Sequence, residues 1–317
     1  MVMSPVIAFL FPGQGSQAVG MGRGFYETSA RAKAVFEEAN EVLGTDLTRV
    51  IFEGPEADLA LTANTQPAVL TASVAAAAAC AEQGLRPALA AGHSLGEYSA
   101  LVVAGALAFA DAVRIVRRRG EYMQEAVPVG TGAMAAMMGL DLAAVEALCA
   151  EAAQGDVVQV ANVNSAAQVV VAGHRTAVER AVALAGRGGA RVKSVMLPVS
   201  APFHCALMAP AAERLARDLA GVPVADPTVP VIRNVDGGVT RAASEVKPFL
   251  VRQVASPVRW TDCVVQLAGE GATAFVEVGA GRVLTSLVKR IVDKVPALAV
   301  DDPASLAQAT AALGIGR

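Results

Sequence analysis

The first apolar run covers residues 6–11 and ends in Pro12-Gly13-Gln14-Gly15-Ser16-Gln17. A short continuous run stopped by glycines predicts a buried strand feeding a loop. Residues 30–43 are helical in character and stop at Gly44. Residues 68–81 carry no charge and predict a buried helix running to Gln83, with Pro67 in its first turn and Gly84 beyond its end. That stretch contains Thr71 and Ser73, and it is shorter than the ~20 apolar residues a membrane span requires. A second short strand is predicted over 88–91, followed by a helix from about Leu95 to Ala104. Asp111 is placed to cap the next helix, which ends near Met123.

The pattern changes in the middle of the chain. It predicts a strand over 133–138, a helix over 141–152, strands over 157–163 and 168–172 joined by Asn164-Ser165, a helix over 175–185 and a strand over 191–197. This β-α-β-β-α-β order is the ferredoxin-like arrangement. Pro128-Val129-Gly130 precedes it and Pro198 follows it, so residues 129–198 read as a small domain inserted between 1–128 and 199–317. The last third returns to alternation: helix 208–219, strand 231–235, helix 245–254, strand 274–278 and helix 283–292. Strands alternating with helices predict an α/β fold with a mainly parallel sheet covered on both faces.

Composition narrows the function. Of 317 residues, 54% are hydrophobic and 17% charged, which excludes a disordered chain. A net charge of −3 gives no general attraction to nucleic acid or an anionic membrane. The four cysteines, Cys80, Cys149, Cys205 and Cys263, form no CxxC pair, which argues against a zinc site or a disulfide framework. Neither a metal nor a cofactor is expected. The first charged residue is Arg23, so the basic start of a signal peptide is missing and a soluble cytoplasmic protein is expected.

Gly92-His93-Ser94-Leu95-Gly96 matches G-x-S-x-G between a predicted strand and a predicted helix. In such a nucleophile elbow the glycines let backbone segments approach, and the helix N-terminus offers N–H groups to an oxyanion. A serine needs a base, and the chain has three histidines. His93 is adjacent to Ser94, and neighbours on a sharp turn diverge. His174 follows a strand of the inserted domain. His204 lies in the loop that leaves that domain, a plausible base position, with no acidic residue evident as a third partner.

Arg119 falls in the middle of an apolar helix face formed by Ala112, Val113, Ile115, Val116, Tyr122 and Met123. A buried arginine requires an anionic partner, either a structural Asp or Glu or the carboxylate of a ligand. Gln14 could supply an amide donor to an oxyanion. Asp236, in Asp236-Gly237-Gly238, could pair with Ser94 as in patatin-like lipases, although a hairpin turn is the favoured reading.

Several segments together resemble the malonyl-CoA:acyl carrier protein transacylase family over nearly the whole chain. They are Phe11-Pro12-Gly13-Gln14-Gly15-Ser16-Gln17, Gly92 through Ala100, Arg119-Gly120, Gly130 through Met134, Asn162-Val163-Asn164-Ser165, Pro198 through His204, and Asn234-Val235-Asp236-Gly237, in family order. The resemblance implies an α/β hydrolase-like domain with the ferredoxin-like insertion and a cleft between them. It implies Ser94 as nucleophile, His204 as base oriented by a main-chain carbonyl, and Arg119 as receptor for the malonyl carboxylate. It further implies an oxyanion hole from Gln14 and the Leu95 N–H, with Gln253 near the histidine. Phe203 before the histidine accompanies malonyl in related polyketide acyltransferases. Val278-Gly279-Ala280-Gly281 has Ala where the family often has Pro, a change expected to affect a turn.

The implied partners are malonyl-CoA and acyl carrier protein, with no nucleic acid or membrane, for a monomer serving fatty acid biosynthesis. Arg187, Arg191, Lys193, Lys289 and Arg290 are candidate contacts for the acidic carrier protein. The rival readings are a serine thioesterase or patatin-like hydrolase, and a carrier-protein-binding module without catalysis.

Overall fold

Ile7–Phe11 forms strand β1 with all five side chains buried. Successive side chains on a strand point to opposite faces. Ile7, Phe9 and Phe11 enter one hydrophobic cluster with Val69, Leu70 and Ala76. Ala8 and Leu10 enter another with Trp260, Val264 and Leu287. Both faces are covered, so the strand is apolar throughout instead of alternating.

The computed structural model describes residues 5–186, 192–199 and 201–315. The further strands described are β2 (Leu89–Gly92), β3 (Gly132–Met138), β4 (Val158–Ser165), β5 (Gln168–His174), β6 (Lys193–Met196), β7 (Val231–Ile232), β8 (Val239–Thr240), β9 (Ala274–Val278) and β10 (Ala297–Val300). One sheet has the order β10-β9-β1-β2-β7-β8. Its pairings are parallel except for β7 with β8. The other sheet, β4-β5-β3-β6, is antiparallel throughout. The fold is therefore α/β, with a mainly parallel sheet and a second, antiparallel one.

Helix Ala30–Leu43 ends as expected at Gly44, whose φ of +62° suits a residue without Cβ. The long buried helix differs from expectation. It spans Thr62–Glu82, so Pro67 lies inside it and not in its first turn. Proline leaves the carbonyl four residues earlier without its helical donor. That carbonyl, on Ala63, accepts a hydrogen bond from Arg117 Nη1 at 3.2 Å, which accommodates the proline. Helix Phe109–Glu125 begins before Asp111, and its N-cap is Ala108 with no side-chain cap. Asp111 sits in the first turn and pairs with Arg114 at 3.3 Å.

The middle segment runs β3, helix Leu142–Ala153, β4, β5, helix Arg175–Ala185 and β6. Asp141 caps its first helix through the Ala144 N–H at 2.8 Å. Asn164-Ser165 is not the connection between β4 and β5, because β4 continues through both residues with bulges in its register. The connection is Ala166-Ala167. Of the strand expected over 191–197, Arg191 lies outside the described residues. The Val258 N–H bonds to the Ala161 carbonyl at 2.8 Å, and the Val163 N–H bonds to the Val258 carbonyl at 2.9 Å. These bonds tie β4 to the segment just after Gln253.

β7 stops at Ile232, short of the expected 231–235, because the chain turns there. Sequence reading missed helices Trp260–Gly269 and Pro303–Leu313 and strand β10. It also missed three short helices, Arg23–Thr28, Leu47–Glu53 and Glu56–Ala60. Among the described residues no helix is long and apolar enough to cross a membrane.

Candidate active site

The G-x-S-x-G segment leaves β2 at Gly92 and enters helix Gly96–Val103. A Cβ on Gly92 would lie 1.9 Å from the Gly96 carbonyl carbon, and one on Gly96 would lie 2.1 Å from the Phe11 oxygen. Both positions therefore demand glycine. Ser94 has φ +52°, a left-handed conformation that costs an ordinary residue about 1–2 kcal/mol. Hydrogen bonds on both sides of the residue hold it there. Its N–H donates to Asn234 Oδ1 at 2.6 Å, and its carbonyl accepts from Gln253 Nε2 at 2.9 Å. Asn234 Nδ2 also donates to the Gly92 carbonyl at 2.7 Å.

Ser94 Oγ lies 2.7 Å from His204 Nε2, and His204 Nδ1 lies 3.0 Å from the main-chain oxygen of Gln253. A carbonyl only accepts, so Nδ1 carries the proton and Nε2 is left as the acceptor for the serine hydroxyl. Burial, with the charge of Arg119 second, pushes the His204 pKa down to about 3, and the ring is neutral. The other two histidines are occupied elsewhere. His93 Nε2 meets Asn164 Oδ1 at 3.0 Å, and its ring tilts against Trp260. His174 precedes helix Arg175–Ala185, where its Nδ1 accepts from the Val157 N–H at 2.9 Å.

Arg119 is 1% exposed. Its Nη1 donates to Gln66 Oε1 at 2.9 Å, and its Nη2 donates to Gln253 Oε1 at 2.9 Å and to Ser94 Oγ at 3.2 Å. Among the described residues its Nε has no hydrogen-bond partner, and no carboxylate lies within the 4.0 Å of a salt bridge. Of the two readings of Arg119, a structural ion pair is thus not what the fold provides. The guanidinium is buried, held by neutral oxygens and adjacent to the serine.

These groups line a cleft of about 540 Å³ that includes Gln14, Ser94, Leu95, Arg119, Phe203 and His204. Met134 of β3 and Asn162 of β4 close its other side. The side-chain amide of Gln14 is turned to Thr62 Oγ1 at 3.2 Å. The main-chain N–H groups of Gln14 and Leu95 take part in no hydrogen bond among the described residues. Gln253 is fully buried behind the cleft.

Three polar residues escaped sequence reasoning: Glu97, Asn234 and Gln66. Each is buried. Glu97 is the one charged residue of helix Gly96–Val103, the same kind of signal that singled out Arg119, whereas Gln66 follows Asn64-Thr65 and carries none. Burial pushes the Glu97 carboxyl up to about 7, although the Gln253 amide, the Asn234 N–H and the charge of Arg119 all favour its ionised form.

Asp236 is not part of this constellation. Its Oδ1 meets Arg233 Nε at 3.1 Å and the Gly238 N–H at 2.9 Å, closing the turn between β7 and β8. Among the described residues no group of three His, Cys, Asp or Glu side chains is placed to hold a metal ion. Lys193, Lys289 and Arg290 are exposed, whereas Arg187 and Arg191 lie outside the described residues.

Residues 8–310 match the acyl transferase domain family. The malonyl CoA-acyl carrier protein transacylase of Escherichia coli K12 is 51% identical over 303 residues, covering 95% of this chain and 98% of that protein. The crystal structure of an acyl carrier protein S-malonyltransferase from Vibrio cholerae superposes with a TM-score of 0.93 at 50% identity, covering 96% of this chain and 99% of its own. A structure of a type II PKS acyl-carrier protein in complex with its malonyl-transacylase gives 0.93 at 48% identity, over 96% of this chain and 98% of that one.

Proposed function

Since this chain belongs to the acyl transferase domain family, we propose that it moves a malonyl group from malonyl-CoA to the pantetheine thiol of acyl carrier protein. It does so through a malonyl-serine ester, and it supplies malonyl thioester for fatty acid synthesis. The observation that carries the substrate assignment is Arg119, a buried cation without a carboxylate partner and 3.2 Å from Ser94 Oγ. A malonyl group on Ser94 brings its own carboxylate to that cation.

Ser94 acts as nucleophile and His204 as base. His204 Nε2 takes the hydroxyl proton as Oγ attacks the thioester carbon. The Leu95 N–H and the main-chain N–H of Gln14 face the developing oxyanion, where donors fixed in advance are most effective. Collapse breaks the carbon–sulfur bond, and the imidazolium returns the proton to the departing CoA sulfur. In the second half the carrier thiol gives its proton to His204 and attacks the ester, and Ser94 leaves with that proton. A ring whose pKa is pushed down to about 3 by burial and by Arg119 is, once protonated, a ready proton donor to the thiolate. The malonyl carboxylate on Arg119 offsets the smaller part of the depression of His204, the part due to the Arg119 charge, while the larger part, due to burial, remains.

Residues 129–198 are read as a ferredoxin-like insertion in a hydrolase-like domain of 1–128 and 199–317, supported by the element order β3 to β6. The protein is read as a cytoplasmic monomer. The exposed Lys193, Lys289 and Arg290 are basic side chains available to an acidic carrier protein. Incubation with malonyl-CoA and holo acyl carrier protein tests the assignment. Malonyl carrier protein should form with parallel double-reciprocal plots, whereas release of free malonate without transfer would instead mark a hydrolase.

A further inference from the structure

Glu97 is 3% exposed, lies outside the cleft lining, and has one oxygen that joins two parts of the site. Its Oε2 accepts from Gln253 Nε2 at 2.8 Å and from the Asn234 N–H at 3.0 Å. Asn234 holds the nucleophile turn through Ser94 and Gly92. Gln253 holds Arg119.

The two ends of the Gln253 amide are not equivalent. Nε2 faces two acceptors, the Ser94 carbonyl at 2.9 Å and Glu97 Oε2, while Oε1 faces Arg119 Nη2 at 2.9 Å. Turned over, the amide would set its NH2 against a guanidinium that can only donate. Glu97 Oε2 and the Ser94 carbonyl together fix the orientation. Glu97 and Arg119 are thus joined through an amide, without a salt bridge between them. A carboxylate directly on Arg119 would compete with the substrate's. One amide away, it offsets a buried positive charge and leaves guanidinium donors for the ligand.

We propose that Glu97 is the positioning residue of the carboxylate clamp: by orienting the Gln253 amide it fixes Arg119 Nη2 and so sets the preference for acyl groups that end in a carboxylate. This rests on the reading of Arg119 as the receptor for that carboxylate. The role is selective by construction. Losing the anchor of Asn234 disturbs Ser94 for every acyl donor alike; losing the anchor of Gln253 loosens the Ser94 carbonyl as well but in addition frees Arg119, so malonyl loses more than acetyl.

The test is the ratio of kcat/KM for malonyl-CoA to that for acetyl-CoA in wild type, Glu97→Ala, Glu97→Gln and Arg119→Ala. In Glu97→Ala the ratio falls by about tenfold or more, mostly through KM for malonyl-CoA, as expected when buried donors lose their acceptor. Glu97→Gln, whose carbonyl can accept from both donors, recovers most of it. Where Glu97→Ala does not fold, Glu97→Asp withdraws the carboxylate by one methylene and lowers the ratio by about threefold or more. A wild-type ratio in the Ala or Asp variant, with the ratio lost in Arg119→Ala, overturns the role of Glu97 and leaves Arg119 standing. A ratio kept in Arg119→Ala overturns the clamp and Glu97 with it.

Discussion

Arg119 holds Nη2 3.2 Å from Ser94 Oγ, so the cation and the proposed nucleophile share a hydrogen bond. The same Oγ is 2.7 Å from His204 Nε2. The serine therefore accepts from the arginine while it donates to the histidine. An acyl group on Ser94 replaces the first of these bonds, and a carboxylate on that acyl group restores a partner to Arg119.

Replacing the proposed nucleophile or the proposed base should separate their roles. Ser94→Ala forms no acyl-enzyme with malonyl-CoA. His204→Ala still contains the serine but acylates about 10²–10⁴-fold more slowly, the usual contribution of a positioned base. Rapid-quench measurement of CoA release in the first turnover checks both.

The depressed pKa of His204 couples stability to pH. Burial lowers it from 6.5 to about 3 in the folded chain. Between those values the unfolded chain binds the proton and the folded chain does not, so this contribution is present above pH 6.5 and lost as pH falls toward 3. Its slope reaches about 1.4 kcal/mol per pH unit. Urea unfolding at pH 7 and pH 5 should show a larger loss for wild type than for His204→Gln.

The elbow glycines should tolerate no side chain. Gly96→Ala places a Cβ 2.1 Å from the Phe11 oxygen, a backbone atom that cannot swing aside. The expected destabilisation is about 1–3 kcal/mol or more. Thermal unfolding of Gly96→Ala, with Gly221→Ala as a comparison whose Cβ meets no neighbour and whose φ, like that of Gly96, is not positive, checks this.

Asn234 links Ser94 to Gly92, and its loss should weaken both fold and rate. Asn234→Ala leaves the Ser94 N–H and the Gly92 carbonyl without their partner, an expected loss of about 1–3 kcal/mol. Ser94 then relaxes from its left-handed conformation, and kcat falls for malonyl and acetyl donors alike. Steady-state kinetics with both donors measures it.

Legibility followed the reach of the interactions. β1 and helix Ala30–Leu43 are set by local patterns and local stops, and both were readable. Ser94 was readable because its glycines belong to the same short turn, and Arg119 because a charge interrupts an apolar face. The helix around Pro67 was misplaced because the group that relieves the proline, Arg117, lies on another helix. Glu97 and Asn234 stand in segments quoted for the resemblance but received no role, because the bond that shows it joins residues 137 apart in sequence. Gln14 was foreseen as a donor, but its side chain is turned to Thr62, leaving the main-chain N–H as the group available.

The most direct test of the carboxylate clamp is intact-mass analysis after brief incubation with malonyl-CoA or acetyl-CoA, for wild type and Arg119→Ala. Wild type should carry a malonyl adduct on Ser94, and the variant should lose it or shift toward acetyl. Malonylation of Arg119→Ala as fast and as selective as wild type would contradict the account.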